Sequence, residues 1–537
     1  MALARPSIRP LPAAAPLPGR TESRRALVLI GLAAITLGPI ALAFLRTPPD
    51  RVFSGYVVIA RDAFVYQALW RSGWQGAMAF HSLYSGETQP GILIYSSYLW
   101  TGRLVGWLSG PWLYHAVRLL ACLALLHALR SLATALYRRG LVRRWAMILA
   151  TLGGGVGVLL GTGSRLGPIS LRPTEVLVSG TSVADLVAMA PHLAWAAALL
   201  CWTFAACLRW ARRPRWSLAL AGTAAPLGLA LIYPQLSLLA VLAMLCWAIA
   251  RRQARGMVFA GLAAAATAPY LVYLGWAEHR YPAAFEGVGA TAQVPFHFDV
   301  GDPLGFLVLS HLVASGLILA AIAARRVRGD LLLPAAWILL MTAFMFLPGL
   351  RTVVGRSYLA SSIPFGLLAA AGLPPVLRRL PAGAWRRRGL LLTLAASSLF
   401  GVFSLAQPYT IAAFRADPNA EYERRGEAQL LSWLAPRSRP QDLVLTTYLD
   451  GIFVPAQTNA RAYVGHPDQT ADVRAKGAQA LAFMTGWDAV RRDAFLDSGG
   501  IDYVLAGDAA SRARLFGDPR LRLVQRAGDE ALYQVSP

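Results

Sequence analysis

The sequence predicts a polytopic α-helical membrane protein of about eleven transmembrane helices, followed by a small external α/β domain. Three observations predict it. Apolar runs of about twenty residues recur from Ala26 to Leu405, each close to the length that crosses a bilayer core. The short loops between alternate runs are dense in arginine. Beyond residue 407 the chain returns to ordinary polarity, in segments of strand and helix length. Overall, 56% of residues are hydrophobic and 15% are charged, against ~25% charged in an average soluble domain.

The basic tail, residues 1–25, carries Arg5, Arg9, Arg20, Arg24 and Arg25. Ser23-Arg24-Arg25 has a faint look of a twin-arginine signal, but the next run is long enough to span and many spans follow, so a signal anchor is the reading. The spans are 26–45, 112–136, 145–163, 190–208, 217–233, 235–250, 257–275, 304–324, 331–348, 358–376 and 390–406. With the tail in the cytoplasm, RRGLVRR (138–144), RWARRPR (209–215), RRQAR (251–255), RRVR (325–328) and RRLPAGAWRRR (378–388) also fall inside, as the positive-inside rule requires. Those loops account for much of the formal net charge of +24, so nucleic-acid binding is not needed to explain it. Before residue 407 the acids fall outside, except Glu22 and Asp330. Orientation does not demand that bias, and an external active site is one cause that would give it.

Residues 91–108 are apolar enough to span. Counting them would reverse every later loop, so they are read as an interfacial or re-entrant helix with Arg103 reaching to the headgroups. The preceding stretch, ARDAFVYQALWRSG (60–73), has helical apolar spacing, with Tyr66, Trp70 and Trp74 as aromatics suited to the interface. Asp62 stands at the start of this surface helix, beside Arg61, either as a helix cap or as a functional acid. Glu87 and Gln89 follow in a turn before Pro90, which also reads as an ordinary polar turn.

Among the later external segments, 164–190 carries Asp185, and Pro191-His192 opens the next span. The aromatic and polar loop 276–303 could cover a site. Arg351 and Arg356 flank another external turn, where two arginines could hold a phosphate or could simply snorkel. Arg118 lies about two turns inside the second span, with His115 above it, and an ionisable group there is a functional candidate. No HExxH or similar spacing points to a metal, and the four cysteines lie in apolar runs.

The segment 407–537 reads as one α/β domain. EYERRGEAQLLSWL (421–434) has the pattern of an amphipathic helix. DLVLTT (442–447), RAYVG (461–465), DYVLAG (502–507), LRLVQ (521–525) and EALYQV (530–535) read as strands, with helices over 471–486 and 487–499. GHPDQT (465–470) is its most polar loop, and His466 could reach a substrate or serve only the turn.

The order of parts, and the stretches RDAFVYQALWRSGWQG, LYSGETQPGILIYSSYLWTGRL, APHLAWAAALL and RAYVGHPDQTADVRAKGAQALAFMTG, resemble the GT-C-fold glycosyltransferases, in particular a group of bacterial GT-C-like proteins. The resemblance implies a multi-pass enzyme of the bacterial cytoplasmic membrane that takes a polyprenyl-phosphate sugar as donor and a hydroxyl as acceptor. It implies Asp62 as general base, Arg118, Arg351 and Arg356 as groups that neutralise the departing phosphate, and possible use of a divalent metal. Arg61, Tyr66, Glu87, Gln89, Asp185, His192 and His466 are the remaining substrate-binding candidates. Two departures stand out. Arg61 precedes Asp62 where many relatives carry a second acid, so Glu87 or Asp185 would have to supply one. No WWDYG-like motif is present in the C-terminal segment, which disfavours an oligosaccharyltransferase. A carrier or flippase of lipid-linked saccharides, and a non-catalytic envelope-glycan sensor, are the alternatives. GxxxxGK[ST] is absent, so a pump would need an ATPase partner.

Overall fold

The structure is a computed structural model that describes residues 18–87, 89–155, 165–166, 169–170, 180–282, 285, 310–344, 357–414 and 420–536. Arg351 and Arg356, most of the 276–303 loop and much of 164–190 lie outside the described residues.

Each apolar run holds a helix. Four of these helices are long and apolar enough to cross a membrane: Pro111–Leu136, Pro191–Arg212, Ala254–Arg280 and Ala384–Phe414. Shorter apolar helices include Trp216–Ile232, Pro234–Ala250, Leu312–Ala323 and Gly329–Phe344. Pro191–Arg212 packs along Pro111–Leu136. Its buried face is built from small residues, among them Ala194, Ala197, Ala198, Cys201 and Ala205, which let helix backbones approach closely where lipid offers no hydrophobic drive to association. Leu391, Leu392, Val402 and Phe403 on Ala384–Phe414 point away from the protein. A helix that is apolar on both its packed and its outward side suits a lipid surrounding.

Three boundaries differ from the sequence reading. Residues 91–108 yield a helix of only ten residues, Ser96–Val105, and a short 3-10 turn to Leu108. At 1.5 Å per residue its ~15 Å falls well short of a ~30 Å bilayer core. Ala384–Phe414 runs through the boundary expected at 407. The helix expected over 421–434 begins only at Arg425. Tyr422–Arg424 instead forms a strand antiparallel to Arg51–Phe53, a pairing with a distant partner that overrides local helical spacing.

That two-stranded ribbon fastens the segment after the first helix to the C-terminal domain. The domain's main sheet runs Arg461–Ala462, Leu443–Leu445, Tyr503–Ala506, Glu530–Val535, Leu521–Ala527. The first three strands are parallel and the last two form an antiparallel hairpin. Val473–Thr485 and Ala489–Gly499 supply the connection between parallel strands that such pairs require. Leu443, Leu445, Val504, Phe483 and Leu496 fill its core.

The helix Ala60–Trp74, expected to lie at the membrane surface, is instead largely buried between the two parts, because neighbouring elements pack on most of its sides. It packs against Ser96–Val105 through glycines: a Cβ on Gly102 would stand 2.4 Å from the Trp70 carbonyl oxygen, and one on Gly73 would stand 2.1 Å from that of Leu99. Here Tyr66 and Trp70 depart from the interfacial role expected of them. Both are buried, with the Trp70 Nε1 donating to Thr101 Oγ1 at 3.0 Å. Trp74 is exposed as expected.

Candidate functional site

Asp62 occupies the first turn of Ala60–Trp74, where a carboxylate suits the positive end of the helix dipole. It is not the helix cap. Ile59 holds that position, in the left-handed region at φ 48°, with no side-chain cap bond. The Asp62 carboxylate is therefore available for another partner, and Oδ1 lies 3.1 Å from His466 Nε2. The two residues come from opposite ends of the chain. Asp62 keeps 43% of its side-chain surface exposed, whereas His466 keeps 4%.

The neighbouring contacts bind the same two parts of the chain. Arg61 donates to the Tyr448 hydroxyl at 3.3 Å, with its guanidinium 5.5 Å from that ring. Gln67 accepts from Tyr56 at 2.6 Å and donates to the Ala456 carbonyl at 3.0 Å. Ser82 donates to the Gln469 carbonyl, and Gln469 donates to the Tyr95 hydroxyl at 3.2 Å. The Ala462 amide donates to the Leu83 carbonyl at 2.9 Å.

Glu87 pairs with Lys476 and with Ser85, and Lys476 also donates to Ser85 Oγ at 3.0 Å. Burial opposes charge on Glu87, but the hydrogen bonds from Lys476 and Ser85 outweigh it and hold the carboxyl below its usual range. Lys476 is the only lysine in the chain. Its ammonium also stands 5.3 Å from the Tyr463 ring centroid. Gln89 serves its own turn: its side-chain oxygen accepts from the Ser82 amide at 3.3 Å, and its carbonyl lies 3.0 Å from His81 Nδ1.

Three helices meeting here start from a left-handed residue that is not glycine: Ile59, Tyr95 and Asp472, at φ 48°, 52° and 49°. Such backbone costs ~1–3 kcal/mol per residue and persists only where the surroundings enforce it. Beneath Asp62, Tyr66 stacks on Tyr98 at 4.5 Å, and the Tyr98 hydroxyl lies 2.9 Å from His192 Nδ1. Burial first, and then the Asp62 charge, push the Tyr66 and Tyr84 hydroxyls well up, so both are neutral phenols.

Asp62, Arg61, Tyr66, Glu87, Gln89, His192 and His466 thus belong to one connected region. Among the described residues, Arg118 and Asp185 make their hydrogen bonds to backbone rather than to these side chains. Arg118 donates to the Ala188 carbonyl at 2.9 Å and to the Thr36 carbonyl, which makes it a tie between helix backbones. Asp185 is buried in the short helix Val183–Ala188 and accepts from the Gly180 amide. Among the described residues no group of three or more His, Cys, Asp or Glu is arranged to hold a metal ion. Lys476, Ser85, Tyr448 and Tyr98 were not anticipated as part of this region. Only Lys476 carried a sequence signal, as a single lysine where 51 basic residues are otherwise arginine.

No protein-family model matches the chain, and no curated protein matches it. Among solved structures, it is similar to the archaeal oligosaccharyltransferase AglB from Archaeoglobus fulgidus, solved with an inhibitory peptide and a dolichol-phosphate. The TM-score is 0.53 at 11% identity, over 92% of this chain and 70% of that one. ArnT from Cupriavidus metallidurans aligns at 0.48 with 15% identity over 96% and 100% of the two chains. The mycobacterial arabinofuranosyltransferase AftD aligns at 0.49 with 15% identity, over 94% and 41%. At TM-scores below one half, these last two add no weight. The chain shares the GT-C fold with the archaeal enzyme.

Proposed function

We propose that this chain is a membrane glycosyltransferase. It moves a sugar from a polyprenyl-phosphate carrier to a hydroxyl acceptor at the outer face of the cytoplasmic membrane, with Asp62 as general base. The observation that carries the reading is the half-exposed Asp62 carboxylate, fixed on one side by His466 at the junction of the helix Ala60–Trp74 and the C-terminal domain. The GT-C fold supports the reaction class.

In this mechanism Asp62 takes the proton of the acceptor hydroxyl while the hydroxyl oxygen bonds to the anomeric carbon. The bond from that carbon to the phosphate oxygen breaks, and its electron pair leaves with the phosphate. A positioned base contributes ~10²–10⁴ in rate. Arg61 is the nearest cation in sequence. It forms no ion pair with a carboxylate among the described residues, its guanidinium resting on Tyr448, which leaves its charge for an anionic donor. Arg351 and Arg356 remain candidates for the same task. Arg118 ties two helix backbones through its terminal nitrogens, and its buried Nε, which has no partner among the described residues, keeps it a candidate as well.

The test uses purified protein in nanodiscs with a ¹⁴C-labelled polyprenyl-phosphate-sugar extract of the source cells and their envelope fraction as the source of hydroxyl acceptor. Wild type should discharge label from the lipid fraction, and Asp62→Asn should not. Equal discharge by both would sink the assignment.

A further inference from the structure

The proposed base sits on a histidine, and the hydrogen bonds around that histidine define which nitrogen carries its proton. His466 Nδ1 accepts a hydrogen bond from the Asp468 backbone amide at 3.1 Å. A ring nitrogen that accepts bears no hydrogen, and a neutral imidazole has one N–H, so that hydrogen is on Nε2. Nε2 is the atom 3.1 Å from Asp62 Oδ1. The ring is therefore a neutral donor to the carboxylate.

The turn that carries the ring is tightly built. Thr470 Oγ1 accepts from the Gly465 and His466 amides, both at 3.3 Å, and the Thr470 amide donates to the His466 carbonyl at 3.0 Å. A Cβ on Gly465 would stand 2.6 Å from the Gly451 carbonyl carbon, so the turn lies against neighbouring backbone. The Tyr84 ring stands 5.9 Å from the imidazole. One donor nitrogen of a dry, immobilised ring thus meets one oxygen of a half-exposed carboxylate. The other oxygen, Oδ2, has no hydrogen-bond partner among the described residues.

We infer that His466 is the positioning residue for Asp62: its Nε2–H occupies Oδ1 and leaves Oδ2 as the atom that takes the proton. The inference rests on the reading of Asp62 as base. It also removes His466 from the group that touches substrate, because its two ring nitrogens are already engaged inside the protein. A donor that bonds to one oxygen of the base aligns it without consuming the lone pairs of the other oxygen, as partners of catalytic groups do elsewhere.

Two measurements test it. The first needs no substrate: ¹⁵N spectra of histidine-labelled protein in nanodiscs, with His466→Gln identifying the resonances of His466. A neutral ring protonated at Nε2, whose Nε2 resonance shifts in Asp62→Ala, is the expected result. A ring protonated at Nδ1, or one indifferent to Asp62→Ala, overturns the inference. The second uses the ¹⁴C-labelled lipid extract. His466→Ala should lower turnover about ten- to a hundredfold, the worth of a hydrogen bond to a charged group, with the half-saturating extract concentration unchanged. His466→Gln, whose amide can still donate, should regain most of the loss. A folded His466→Ala that alters only half-saturation, or nothing, refutes the positioning role. If Asp62→Asn is inactive in that same experiment, the reading of Asp62 stands. If Asp62→Asn keeps full turnover, that reading falls too.

Discussion

Gly102→Ala probes the contact that sets Asp62 in place. Helix Ser96–Val105 lies so close to Ala60–Trp74 that a new Cβ at residue 102 would sit 2.4 Å from the Trp70 carbonyl oxygen, and one at Gly106 would sit 2.3 Å from the same atom. Ordinary contact begins near 3.4 Å, so the helices must separate by about 1 Å. Backbone cannot rotate away as a side chain can. Overpacking of this kind costs ~1–3 kcal/mol, partly offset by the ~1 kcal/mol by which alanine outdoes glycine in a helix. A net loss of up to about 2 kcal/mol is expected. A displacement of ~1 Å in the helix that bears the base should also lower transfer about a hundredfold. The control is Gly261→Ala in Ala254–Arg280, where a Cβ meets nothing within 4 Å. That change should be neutral or stabilising by ~0.5–1 kcal/mol. Denaturation midpoints of both variants, measured side by side in the same detergent, give the comparison. If Gly102→Ala is as stable as Gly261→Ala, the close packing of the two helices is wrong.

Other sites allow equally direct tests. Lys476→Ala removes the partner of Glu87 and Ser85. Because Glu87 is half exposed and can return to water, the cost should be about 1–2 kcal/mol rather than the ~3–5 of a fully buried pair, read as faster proteolysis within 83–89. The depressed Glu87 carboxyl adds stability that is present above the ordinary carboxylate range and lost as pH falls through its folded value, so acid should loosen the same segment in wild type. Arg492 and Asp518 form a pair buried on both sides, through Nε at 3.1 Å and Nη2 at 2.8 Å. Arg492→Ala should cost ~3–5 kcal/mol, and adding Asp518→Leu should recover much of it; a denaturant midpoint unchanged by the single substitution contradicts this. Burial, reinforced by the Asp450 charge, raises the Glu423 and Glu427 carboxyls. The folded state then keeps protons that the unfolded chain releases, so stability should fall as pH rises from the ordinary carboxylate range toward neutrality. Glu423→Gln should flatten that slope, measured as the midpoint against pH.

The apolar helices, four of them long enough to cross a membrane, and most strands were legible because they rest on local signals: long apolar runs, and alternation in segments such as Leu521–Ala527. Long-range pairing was not. Tyr422–Arg424 carries helical spacing and still forms a strand, because Arg51–Phe53 provides its partner. Asp62 was visible as an acid on a surface helix, and His466 as a polar turn residue, but nothing local links positions 404 apart. Glu87 looked like part of a plain turn until Lys476 met it. Tyr66 and Trp70 have interfacial chemistry, yet the helix Ser96–Val105 covers them. Arg118 shows the reverse case. An arginine inside an apolar run signals function by default; here two backbone carbonyls take one donor from each terminal nitrogen, while its Nε stays buried with no partner among the described residues.

The central claim is that Asp62 drives sugar transfer in the cell envelope. The most direct measurement is envelope-glycan composition in a strain lacking this chain, complemented with wild type or with Asp62→Asn at matched membrane levels. The deletion should lose one glycan component, wild type should restore it, and Asp62→Asn should not. Restoration by Asp62→Asn, or an unchanged envelope in the deletion strain, would contradict the account.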